Sequence, residues 1–170
     1  MLRIPAITLI ALTAVAQADP IDTSVDFTQL SRDSFVKEAR ALAQASWVTS
    51  MAMFSRIDPT IAEVVPAFPW NDAFEAAYGC VHDDMSAAGT LAEYNDMRDE
   101  GAKFFTFLEA NPEVTILNID QYNEALDLMT PSVGTIQSMQ GCGVMDLNQE
   151  VMIESGLMQT VMQFYAAQQQ

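Results

Sequence analysis

The chain has 170 residues and sets 23 Asp and Glu against 7 Lys and Arg, a formal net charge of −16. A field of that sign excludes DNA, RNA and anionic lipid as partners, because those bind through Lys and Arg that displace counterions, and it favours metal ions, cationic ligands and basic protein surfaces. Half of the residues are hydrophobic, and the length is that of one ordinary domain, able to bury roughly two-thirds of its unfolded surface.

The chain opens with a basic residue at Arg3, an apolar run from Ile4 to Val15, and small residues at Ala16 and Ala18 before Asp19. This is the pattern of a secretory signal with an A-x-A cleavage site. Cutting after residue 18 leaves 152 residues with a net charge of −17, in the periplasm or outside the cell. The apolar run falls well short of the roughly twenty residues that span a bilayer, so no stable membrane anchor is expected after cleavage. No cysteine adjoins the cut to carry a lipid.

Residues 19–30 are acidic and lack a clear period, as in an extended arm or strap, and residues 31–170 read as a single helical domain. From Ser31, a plausible N-cap, the period becomes helical as far as about Ile57. Phe35, Ala39, Leu42, Ser46 and Met53 share one face, and Asp33, Lys37, Arg40 and Gln44 line the opposite one. A third strip of Ser34, Ala41, Ala45 and Ala52 is small enough for another helix to approach closely. Asp58-Pro59 restarts a short helix that Pro66 and Pro69 end. Asn71 caps the next, which carries Phe74, Tyr78, Val81 and Met85 and stops at Gly89.

Thr90-Leu-Ala-Glu93 has the form of a capping box. The helix it predicts has Leu91, Tyr94, Met97, Gly101, Phe104, Phe105 and Leu108 on its inner face and ends at Asn111-Pro112. Glu113 to Leu117 reads as a connection, Asn118 as the cap of a helix carrying Ile119, Tyr122, Leu126 and Met129, and Thr130-Pro131 as the start of another that stops near Gly141-Cys142-Gly143. Asp146-Leu-Asn-Gln149 resembles a second capping box, opening a helix to about Ala167. That helix carries no charge after Glu154. Such an all-round apolar helix belongs at the centre of a bundle or in an interface, including one between two copies of the chain. The expected fold is therefore all-α, an irregular bundle of about five to seven helices with the last near the centre.

Cys80 and Cys142 are the only cysteines. In an oxidising compartment they predict one disulfide closing a loop of about sixty residues; the absence of C-x-x-C argues against a redox or metal pair. A match at an offset of 62 residues, pairing Gly79-Cys80 with Gly141-Cys142 and Pro69 with Pro131, faintly suggests a duplication.

Few residues suggest chemistry. The one histidine, His82, has no G-x-S-x-G serine to serve, and adjacency to Asp83 does not by itself orient it, since consecutive helical side chains diverge by about 100°. His82 and Met85, three apart, form an imidazole–thioether pair suited to copper, and in a helical bundle to non-covalent haem. Without C-x-x-C-H or Glu-x-x-His, covalent haem and di-iron sites are excluded. Most of the eleven methionines, Met97, Met129, Met158 and Met162 among them, fall where flexible core packing is expected. Glu93, Asp96 and Glu100, flanked by Asp99, make an acidic helix face. Phe68, Trp70 and Phe74 either border an apolar groove or anchor the core after a turn.

No catalytic constellation emerges, and no cofactor is required. The sequence thus points to a non-enzymatic exported protein that binds a protein or a small, in this reading cationic, ligand. The alternative is a copper or haem carrier centred on His82 and Met85, and the third reading is a hydrolytic enzyme.

Overall fold

The computed structural model describes residues 21–59, 68–115, 117–122 and 132–168. The signal at 1–18, the short helix after Pro59 and most of the segment with Leu126 and Met129 lie outside them. Among the described residues there are six α-helices and no strand: α1 Arg32–Ser55, α2 Asp72–Ala88, α3 Ala92–Ala110, α4 Val133–Gly141, α5 Val144–Glu154 and α6 Leu157–Gln168. The all-α bundle expected from the periodicity is the fold observed.

Local chemistry fixes several boundaries. The Ser31 hydroxyl accepts from Ser34 N at the start of α1, and the Asn71 side chain accepts from Ala73 N and Phe74 N at the start of α2. Each cap satisfies donors that the first helical turn leaves unpaired. At the C-terminus of α3, where carbonyls are orphaned and negative, Arg56 reaches across from the end of α1. It donates to the carbonyls of Leu108, Asn111 and Val114 at 2.7, 3.1 and 2.7 Å, and this contact closes a small apolar cluster of Met53, Leu108 and Val114.

The two capping boxes do not form. Glu93 does not turn back on its own helix but crosses to α4, where its carboxylate accepts from the hydroxyls of Ser132 and Thr135; Ser132, not Thr130, caps that helix. Asp146 lies inside α5, which begins at Gly143 with φ +77°. That left-handed conformation, which glycine adopts without steric cost, turns the chain from α4 into α5 and carries Cys142. The long final helix is likewise two, broken at Gly156 with φ +73°.

The principal core gathers Phe27, Phe35, Ala39, Phe74, Tyr78, Val81, Met85, Tyr94, Val144 and Val151. α2 runs along α1, α4 and α5 pack on α2, α3 packs on α1 and the arm, and α6 packs on α5. Cys80 and Cys142 form a disulfide with a Cα–Cα distance of 5.7 Å, fastening α2 to the α4–α5 turn beside a hydrogen bond from Ser138 to Asp84. Of the faces assigned to α1, Phe35, Ala39 and Met53 are buried, but Ser46 is not; Ala45, from the small-residue strip, takes a core place. The close approach of another element occurs at Gly79 instead, where the Arg32 guanidinium lies in the space a Cβ would fill.

α6 is not the centre of the bundle. Leu157 is buried against Met51, but Met158 and Met162 are 40% and 63% exposed. Val161 packs beside Leu157 on the same cluster, so the break at Gly156 leaves α6 with one described apolar contact face and two outward methionines.

The arm is docked rather than loose. A 3-10 turn, Phe27–Gln29, packs Phe27 against Phe35 and Tyr94, with ring centroids 5.4 and 4.7 Å away. Asn95 accepts from Phe27 N at 2.9 Å and donates to Asp26 at 2.9 Å. Buried Arg98 donates to the Val25 carbonyl and pairs with Asp99. The hydrogen bond from Asn95, followed by those from Thr28, holds the Asp26 carboxyl below its ordinary 3.8. A depressed carboxyl supports docking above its unfolded pKa, and the support is lost as the pH falls below about 4. Asn95→Ala is therefore expected to move the Asp26 titration midpoint up toward 3.8, as read by NMR; an unmoved midpoint would remove Asn95 from the docking.

Candidate functional site

Between the helices lies a cavity of about 490 Å³, inside the range of small-molecule sites. α1 supplies one wall, in which small side chains (Ala39, Ala43, Ser46, Ser50) alternate with Leu42, Trp47, Met51, Met53 and Phe54. Phe68, Tyr78 of α2, Tyr94, Met97 and Gly101 of α3, Met139 of α4, Asn148 and Met152 of α5, and Leu157 of α6 complete the described lining. It includes no Asp, Glu, Lys, Arg or His.

The void follows from the sequence of α1. At the 3.6-residue period, positions 39, 43, 46 and 50 follow one another along one face, and each carries a small side chain. Five methionines stand around the gap, and their unbranched, polarisable side chains adapt to an irregular occupant. Two of the lining polar groups are tied to their own helices: the Ser50 hydroxyl donates to the Ser46 carbonyl, and the Asn148 amide donates to the Val144 carbonyl.

Tyr78 and Tyr94 are 5% and 1% exposed, and neither hydroxyl is among the buried polar atoms left without a partner. Burial pushes Tyr78 up to about 12 and raises Tyr94 well above its ordinary 10, with Tyr78 adding to the second shift. Both phenols therefore remain protonated donors at physiological pH. Their rings are firmly seated: Tyr94 against both Phe27 and Phe35, and Tyr78 stacked on Trp70 at 5.2 Å.

No family model, curated protein or solved structure matches the chain.

His82 and Met85 both lie on α2. Met85 is fully buried in the principal core, whereas the His82 side chain is 14% exposed, lies edge-on to Phe35 at 5.3 Å and donates from Nδ1 to Asp83 at 2.9 Å. Adjacency thus does produce this contact, through the rotamers the two side chains adopt. The bond from His82 holds the Asp83 carboxyl below its usual range, with Arg32 assisting at 3.2 Å. Among the described residues, no group of three His, Cys, Asp or Glu side chains is placed to hold a metal ion.

The acidic face of α3 divides among separate tasks. Glu93 positions α4, Asp99 pairs with Arg98, Glu100 accepts from Lys103, and Asp96 is exposed. The aromatics around Pro69 serve both of the roles considered for them: Phe68 lines the cavity, while Trp70 stacks on Phe74 and Tyr78. The signal for the cavity was the run of short side chains on α1 at Ala39, Ala43, Ser46 and Ser50.

Proposed function

We propose that this protein is an exported, non-enzymatic binding protein that holds an uncharged, largely apolar small molecule in the cavity between its helices. The observation that carries the reading is the lining: about 490 Å³ of space between the helices, methionine-rich and without a charged side chain among its described residues. An ion entering it would lose its hydration with no partner to replace it. The acidic surface then serves solubility, and the ligand is neutral instead of cationic. Export is supported by the N-terminal signal pattern and by the disulfide, which persists in oxidising compartments.

The test is a fluorescence titration with N-phenyl-1-naphthylamine, an uncharged apolar probe that brightens out of water. Saturable binding to the oxidised protein is expected. Ala43→Phe, which places a ring in the cavity, should weaken it more than tenfold, about 1.4 kcal/mol. Absence of saturable binding, or equal affinity in the variant, overturns the reading.

A further inference from the structure

We propose that the cavity takes a neutral molecule carrying one unbranched aliphatic chain, laid lengthwise along α1, in preference to branched or compact molecules of the same composition. This rests on the cavity reading above and specifies the shape of what is bound.

The cavity is long in one direction. On α1 its lining runs from Ala39 to Phe54, about 22 Å at a rise of about 1.5 Å per residue. α3 contributes only the stretch from Tyr94 to Gly101, and α5 only Asn148 and Met152, so the long axis follows α1. Along that axis the cavity passes apolar clusters that do not merge: Ala39, Tyr78 and Tyr94 belong to the principal core, Met51 and Leu157 to a second cluster, and Met53 to a third. About 490 Å³ spread over this length leaves a mean cross-section of about 20 Å², the width of one extended alkyl chain. A second chain has no room beside the first. No buried polar atom of the described lining is left without a partner, so recognition falls to apolar contact and shape. The methionines of the walls adjust to the torsions of a flexible chain. Seated there, the chain joins the separate clusters into one apolar interior packed as native interiors are, and binding stabilises the fold by mass action.

The experiment displaces N-phenyl-1-naphthylamine from the oxidised protein with two isomers, dodecan-1-ol and 2-butyloctan-1-ol. They share composition and hydroxyl and differ in carrying one chain or two. The straight isomer should bind at least about tenfold more tightly, and at equal concentration it should raise the melting temperature further. Along the series from hexan-1-ol to dodecan-1-ol, each methylene should add about fourfold in affinity. Ser50→Leu, with the probe affinity calibrated again, fills the slot at its last small residue and leaves about 10 Å between Ala39 and Ser46. In that variant the gain should stop near eight carbons, at about 1.3 Å per carbon for bonds about 1.5 Å long. Equal affinities for the two isomers, or a series that Ser50→Leu leaves unchanged, overturn the single-chain slot, while saturable probe binding keeps the cavity reading intact. Failure of the probe and of every alkanol to bind overturns the cavity reading itself.

Discussion

Replacing Cys80 and Cys142 together by serine is expected to remove about 4 kcal/mol of stability, the chain-entropy value for a loop of this length. The bond joins residues 62 apart, so the unfolded chain it constrains is long. Its local role adds to the effect. α4 has nine residues, fewer than a helix needs to persist alone in water, and among the described contacts its position depends on the disulfide, Asp84 and Glu93. Because Met139 on α4 lines the cavity, probe affinity should fall along with stability. Denaturant unfolding of the oxidised protein and the double serine variant measures the first, and the melting temperature should drop by roughly 10 °C or more. A loss below about 1 kcal/mol would mean that the polar contacts alone hold α4 in register.

Helix content was legible because it rests on local periodicity, and Ser31, Asn71 and Asn111 mark boundaries through bonds to neighbouring backbone. Where the sequence misled, a local signal had been taken up by a distant partner. Glu93 satisfies the capping-box pattern, yet two hydroxyls at the start of α4 offer its carboxylate partners no nearby residue supplies. Asp146-Leu-Asn-Gln149 has the composition of a cap, but the turn set by Gly143 starts α5 before it. The apolar character of residues 157–165 says that this surface avoids water, not where it lies, and the break at Gly156 leaves Met158 and Met162 outside. Chemical residue types drew attention to His82 and Met85, while the cavity depends on what is missing from a face: at Ala39, Ala43, Ser46 and Ser50, the helical period is kept and the volume is not.

Phe35→Ala is expected to cost about 4 kcal/mol, within the range for truncating a fully buried aromatic ring. Phe35 is 0% exposed, and its ring meets Phe27 of the arm at 5.4 Å, Tyr94 of α3 at 4.7 Å and His82 of α2 at 5.3 Å. One side chain of α1 therefore joins three other elements, and the space it leaves cannot close without moving several of them. Phe35→Leu, which keeps most of the volume, should cost only about 1 kcal/mol. Urea unfolding distinguishes the two, and a cost for alanine no larger than for leucine would show that the surrounding rings collapse into the gap.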